Sequence, residues 1–245
     1  MSFSESKPPR LRDFTSARVG LSRAGNGLPT RELLALQLAH ARAREAVQSQ
    51  LDVQLLGLEL KPFAEVLCVK SAAPDRTIYL RRPDLGRRLA DESRRLIVNR
   101  KGRYDAVFVI ADGLSALAVQ LHAARFLEAV LTLLERSDWN LAPFVVVEQG
   151  RVAIGDEIGE CIGAALSVVL IGERPGLSSP DSLGVYISWN PHVGLTDADR
   201  NCISNIRTEG LSYAAAANKL VFLMTESRRR KLSGVGLKEE AKALE

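Results

Sequence analysis

Apolar and polar positions change rhythm once along the chain. From residue 104 onward, short apolar runs (AVFVI at 106–110, FVVV at 144–147, LSVVLI at 166–171 and VYIS at 185–188) are separated by turn residues and by helically spaced stretches at about 116–134 and 156–165. Runs this short, bounded by Gly, Pro and Asp, read as buried strands. Strands that alternate with helices predict an α/β fold with a largely parallel sheet covered by helices on both faces. Ahead of this, Gly25, Asn26, Gly27 and Pro29 break the chain before Thr30. Thr30 can cap a helix that carries Glu32 in its first turn, aligns Leu34, Leu38 and Ala41 on one face and extends to about residue 48.

Residues 51–70 fit helix or strand, Pro74 and Asp75 mark a turn before the short run 77–80, and a helical pattern resumes after Pro83 to about residue 96. A last helix at about 213–231 starts after Ser212 as cap and ends on Arg228, Arg229, Arg230 and Lys231, with Gly234 as its stop. Cations favour that end of a helix, so the cluster needs no ligand to explain it. The chain thus divides into an N-terminal tail at 1–13, a mainly helical region at 14–100, an α/β domain at 101–238 and a C-terminal tail at 239–245.

The densest loop chemistry lies at 171–205, where Gly, Pro, Ser and Asp clusters follow the strand 166–171. Gly172, Glu173 and Arg174 should emerge at that strand's carboxyl end, the edge where open α/β sheets bind ligands. Glu173 can accept hydrogen bonds from a ligand there, or pair with Arg174. The turn 111–115 (ADGLS) sets Asp112 and Ser115 at the same edge, either to meet a polar ligand or to cap the following helix. Cys202, in DADRNCISN, is expected at or just inside a helix N-terminus capped by Thr196 or Asp199, with packing or ligand contact favoured over nucleophilic chemistry because no histidine is tied to it. His40 and His122 fall inside helices without a second ligand at helical spacing, and His192 falls in a loop. No GxGxxG follows a strand, no GxxxxGK[ST] is present, and SGVGLK at 233–238 sits after a helix.

Composition adds boundaries. With 33 Lys and Arg against 29 Asp and Glu, the net charge is +4, and aromatics at 5% do not interleave with the basic clusters, which argues against nucleic-acid binding. The apolar runs are far shorter than the roughly 18 residues of a membrane span. A polar start without an apolar core predicts no secretory signal, and Cys68, Cys161 and Cys202 read as free thiols of a reducing, cytoplasmic compartment.

Four ordered segments carry a resemblance: FTSARVGLSRAGNGLPTRELLALQLAHARA (14–43), YLRRPDLGRRL (79–89), VVVEQGRVAIGDEIGE (145–160) and IGERPGLSSPDSLGVYISWNPHVGLTDADRNCISN (171–205). Together they resemble the small subunit of ethanolamine ammonia-lyase, from about residue 11 to about residue 238. The resemblance implies a Rossmann-like domain that covers adenosylcobalamin on one side, while a barrel-shaped large subunit holds ethanolamine on the other, in a hetero-oligomer with several copies of each. Residue by residue, it implies that Val152 in GRVAIGD, Glu173 in IGERPG and Cys202 in RNCISN contact the cofactor, with no catalytic residue and no metal ligand in this chain. None of His40, His122 and His192 stands in a DxHxxG motif, so the implied cofactor is base-on, keeping its own dimethylbenzimidazole ligand. In the family the adenosyl radical abstracts hydrogen from ethanolamine, and acetaldehyde and ammonia are released. Some members carry a long extension ahead of FTSARVG, where thirteen residues stand here, which leaves packaging in a bacterial microcompartment open. Two other readings stand beside this one: a stand-alone nucleotide-binding enzyme using Asp112 and Ser115, and a non-catalytic module that docks a partner through its helical N-terminal region.

Overall fold

The computed structural model describes residues 14, 17–135 and 137–237, so the expected tails at 1–13 and 239–245 lie outside the described residues. Along the chain run α1 (Thr30–Gln48), α2 (Val53–Leu60), β1 (Val66–Lys70), α3 (Arg76–Arg81), α4 (Asp91–Val98), β2 (Tyr104–Ala111), α5 (Ala116–Leu134), β3 (Phe144–Glu148), α6 (Ile154–Ile162), β4 (Ala164–Gly172), β5 (Leu183–Trp189), β6 (Arg200–Ile206) and α7 (Tyr213–Arg230). The ambiguous stretch 51–70 is both elements in turn. Asp52 caps α2 by accepting from the Leu55 N–H at 2.9 Å, Pro62 cannot continue a helix, and the apolar run beyond it becomes β1.

All six strands form one sheet in the order β1-β3-β2-β4-β5-β6. The pairs β1–β3, β3–β2 and β2–β4 are parallel, whereas β4–β5 and β5–β6 are antiparallel. The α/β class expected from the sequence is therefore correct, and the expectation of a largely parallel sheet holds only for the first four strands. The reason is local. A parallel return needs a crossover of about a dozen residues or more, usually a helix. Residues 173–182 are a Gly-, Pro- and Ser-rich loop without one, so β5 must run back beside β4.

Alternation along the strands divides the core in two. Ala106, Phe108 and Ile110 of β2 and Leu166, Val168 and Leu170 of β4 face α5 and α7. Val107, Val109 and Ala111 of β2 and Val169 and Ile171 of β4 face α6 and Ile97 of α4. By length and hydropathy alone α5 could cross a membrane, but Val119, Ala123, Phe126, Leu127 and Val130 are the face it buries on the sheet.

Three helix ends differ from expectation. Pro29, not Thr30, occupies the cap of α1 and offers no side-chain bond. The helix expected at 156–165 runs from Ile154 to Ile162, because Gly163 turns left-handed (φ 82°) and releases Ala164 and Ala165 into β4. Ser212 does cap α7, but Lys231 itself takes the left-handed turn (φ 56°) ahead of Gly234. The terminal arginines are used internally: Arg229 and Arg230 both bond Glu226, and Arg228 lies 4.8 Å over the Trp139 ring and 3.6 Å from Asp105.

Gly172 closes the edge of the sheet where β4 meets the start of α5. A Cβ there would lie 2.0 Å from the Ser115 carbonyl oxygen and 2.7 Å from that of Asp112, both backbone atoms that cannot swing aside. Gly172→Ala should therefore lower the unfolding free energy by about 2–3 kcal/mol, measured by urea denaturation.

Candidate functional site

β2 leads into α5 on one face of the sheet and the neighbouring β3 leads into α6 on the other, so their connections part at the carboxyl edge. Such a parting opens a crevice, and open α/β sheets bind ligands there. An open cavity of about 1050 Å³ occupies it. Its walls come from the segments after three successive parallel strands: Gly113 and Leu114 after β2, Val152 after β3, and Gly172 and Glu173 at and after β4. The cavity continues across the sheet to Tyr186 of β5 and Arg200 of β6.

This extension exists because the sheet's last two strands are covered on one face only. Leu183, Val185 and Ile187 of β5 and Ile203 and Ile206 of β6 are buried in the core that holds α5 and α7. On the opposite face Tyr186 is half-buried, and Cys202 and Ser204 are exposed. Cys202 therefore lies in a strand, directly across from Tyr186, and not at the helix N-terminus expected from the sequence. The cap was read correctly and its length was not: Thr196 and Asp199 do form a reciprocal capping box, but it closes a single 3-10 turn (Asp197–Asp199) before β6 begins.

The structure brings Val152 and Glu173 onto one cavity and sets Cys202 beside it through Tyr186. Glu173 does not pair with Arg174, which is exposed and has no ion-pair partner among the described residues. Its carboxylate instead accepts from the hydroxyls of Ser182 and Ser204 and, at 3.2 Å, from the Asn205 N–H. Asn205 turns left-handed (φ 62°) where the β5–β6 pairing shifts register. A carboxylate offers about four acceptor sites. Three are used, and the remaining one is on Oε1. Although the Cys202 side chain is exposed, partial desolvation beside Tyr186 raises its thiol above the ordinary value; the Tyr186 hydroxyl opposes that and Glu173 adds to it. A raised value disfavours the thiolate that nucleophilic chemistry needs.

Sequence reasoning missed Tyr186 and the Asp156–Arg200 ion pair. Both of these charged residues are buried, and Arg200 also bonds the Leu195 carbonyl at 3.1 Å and Asp197 at 3.2 Å. Arg200 thereby fixes the loop at the far end of the cavity against α6, while burial holds the Asp156 carboxyl above its usual range despite the guanidinium beside it. The signal for Tyr186 was present as one large amphipathic side chain on the outward beat of VYIS. Nothing in the sequence spacing pairs residues 156 and 200.

The turn 111–115 is committed to the fold. Asp112 is buried and accepts from the N–H groups of Gln149 and Gly150, each at 2.9 Å, with Arg76 at 3.7 Å. Ser115 caps α5 and donates to the Pro180 carbonyl. Arg76 also donates to the carbonyls of Gly113 and of Val47 in α1, both at 2.8 Å, tying that helix to the cavity's edge. Neither polar side chain of the turn is left for a nucleotide. Of the histidines, His122 is buried against Tyr213 at 2.7 Å and His192 bonds the Asn190 carbonyl; no group of three or more metal-ligating side chains occurs among the described residues. All three cysteines are free thiols.

The donor set suits a broad ligand with an apolar body and amide or phosphate edges. Leu114, Val152, Ile171 and Tyr186 supply apolar wall, and Glu173 keeps one acceptor site. Arg87 and Arg174 line the cavity as exposed cations without an ion-pair partner among the described residues. The buried Nε of Arg151, another lining residue, has no hydrogen-bond partner among the described residues. The volume lies above the roughly 300–1,000 Å³ typical of drug-sized pockets, which favours a large molecule.

The chain is similar to known proteins along nearly its whole length. A family model described as ethanolamine ammonia-lyase light chain (EutC) matches residues 5–238. The chain is 56% identical over 236 residues to the ethanolamine ammonia-lyase small subunit of Pseudomonas fluorescens (strain Pf0-1), covering 94% of this chain and 86% of that protein. It is 56% identical over 238 residues to that of Azotobacter vinelandii (95% and 88%), and 55% identical over 237 residues to that of Xanthomonas campestris pv. campestris (95% and 87%).

Burial pushes Asp112 up to about 6, against the pull of the Gln149 and Gly150 N–H groups and Arg76. A folded value above the unfolded one means that this group's contribution to stability is greatest at low pH and is lost as pH rises through about 6. Asp112→Asn removes the titration. The difference in unfolding free energy should therefore move in favour of the wild type by roughly 1 kcal/mol between about pH 7 and about pH 5, read from urea curves at both. Parallel behaviour would show that Asp112 is ionised throughout.

Proposed function

We propose, from the premise that this chain belongs to the ethanolamine ammonia-lyase light chain family, that it binds adenosylcobalamin in the cavity at the carboxyl edge of its sheet and orients it toward the lyase's large subunit. The chain is a subunit of an ammonia-lyase and has a larger partner. The observation that carries the cofactor reading is the meeting of Val152, Glu173 and Tyr186 on a single open cavity, with Cys202 across from Tyr186 on the same uncovered sheet face.

The residues fit such a group. Leu114, Val152 and Tyr186 can lie against an apolar macrocycle, and Cys202 adds a small polarizable surface on the same face. The spare acceptor site of Glu173 can take an amide N–H, with the carboxylate fixed by Ser182, Ser204 and Asn205. Arg87 and Arg174 can donate to amide carbonyls or to a phosphate. None of His40, His122 and His192 stands in a DxHxxG motif, and His122 is already engaged with Tyr213, which supports a base-on cofactor. When bound, the cofactor supplies radical chemistry for the conversion of ethanolamine to acetaldehyde and ammonia. This chain's part is to bind, to orient and to exclude water from one side, and substrate contacts belong to the large subunit.

Mixing the chain with the large subunit, adenosylcobalamin and ethanolamine should yield acetaldehyde only when both subunits are present; a stable, cofactor-loaded complex without product would refute the assigned reaction. In that complex Glu173→Ala should weaken cofactor binding by about tenfold, the value of one hydrogen bond to a charged group. Titration against the corrin absorbance measures it, and unchanged affinity would remove Glu173 from the site.

A further inference from the structure

α1 is nineteen residues long, yet Ala39 and Ala46 are its only buried side chains. Leu34 and Leu38, one turn apart, are 59% and 52% exposed. An isolated helix of this length is marginal in water, and most helical stability comes from packing an apolar face. Across from α1, Leu117 and Leu121 of α5 are also exposed, as is Leu177 in the loop between β4 and β5. Leu38, Leu117, Leu121 and Leu177 line one groove of about 550 Å³, bounded by Arg18 and Arg42.

Its charge indicates what can cover it. The groove's acidic groups, Asp181 and Glu209, are each taken by Arg207, at 3.9 and 3.5 Å. Arg18 and Arg42 have no carboxylate partner among the described residues, and Arg18 donates to the Ala35 carbonyl at 3.5 Å. A second copy of this chain, meeting this one patch to patch about a two-fold axis, would present the same rim, whose carboxylates Asp181 and Glu209 are already held by Arg207 and so are not free for Arg18 and Arg42. The complementary surface is apolar with a carboxylate-bearing rim. The groove also adjoins the cavity described above, because one loop supplies Glu173 and Arg174 to the cavity and Leu177 and Pro180 to the groove.

We infer that the groove between α1 and α5 is the docking surface for the large subunit, which presents an apolar ridge flanked by carboxylates and, by continuity through residues 173–180, covers the mouth of the cavity. This rests on the reading that the chain acts beside a large subunit, and it is independent of which cofactor the cavity holds.

The test uses the full chain and the large subunit. Leu38→Asp/Leu121→Asp places carboxylates at two exposed positions, so the thermal transition of the isolated chain should be unchanged while affinity for the large subunit, read by sedimentation, falls by at least about tenfold. Arg18→Ala/Arg42→Ala should weaken assembly less and flatten its dependence on salt. In the wild-type complex, amide hydrogen exchange should slow across residues 34–42 and 117–121 relative to the free chain. Assembly untouched by both variants, or no protection of those segments, overturns the inference. So does self-association of the isolated chain that the leucine variant abolishes while assembly persists, since the groove would then belong to a second copy. Corrin absorbance, followed separately, distinguishes the two readings: assembly that needs the groove but takes up no cofactor leaves the docking surface standing and removes the cofactor assignment.

Discussion

A chain that leaves the carboxyl edge of a parallel sheet without a helix has to turn back, and most of what is distinctive in this molecule follows from that reversal after Gly172. The loop 173–182 is too short and too rich in Gly, Pro and Ser to cross over, so β5 and then β6 extend the sheet antiparallel. Among the described residues the only α-helix that follows them is α7, and it lies on the face already held by α5. What remains is a pair of strands with an apolar side and a polar side, the polar side open at the edge where three parallel strands end. The cavity is a consequence of topology before it is a matter of particular side chains.

Buried polar pairs then hold its walls. Asp112 collects two backbone N–H groups from the turn after β3 and faces Arg76, which joins the walls after β2 and β3 into one unit. Asp156 and Arg200 do the same at the far end, where α6 meets the loop before β6. Removing one member of such a pair strands a charge without solvent, at about 3–5 kcal/mol. These residues are read better as the frame of the cavity than as its ligands, although a carboxylate at a strand's end looks like a binding residue in any sequence.

The boundary between legible and illegible lies at burial. Strands whose two faces are covered, such as β2 and β4, appear in the sequence as dense apolar runs, broken in β4 only by Ser167, and their observed ends differ little from the expected ones. β6 is covered on one face only, and its RNCISNI carries too few apolar residues to announce a strand, so the capping signal of Thr196 and Asp199 prevailed and Cys202 was assigned to a helix. The place of Glu173 on the cavity was legible from its position at the end of a strand, and that of Val152 only through resemblance. Tyr186 and Arg200 were not, since nothing local reveals that one faces the open side or that the other meets Asp156 44 residues away. The exposure of Leu34 and Leu38 likewise escapes periodicity, which finds an apolar face without saying whether this chain covers it.

Arg76 gives the two ends of the molecule a common term in their energetics. Its guanidinium donates at once to the last turn of α1, through Val47, and to the Gly113 turn at the cavity's edge. A contact that seats α1 more firmly and a ligand that settles against Gly113 thus act on one ordered group. One buried side chain sets the order of both the outer helix and the cavity's edge.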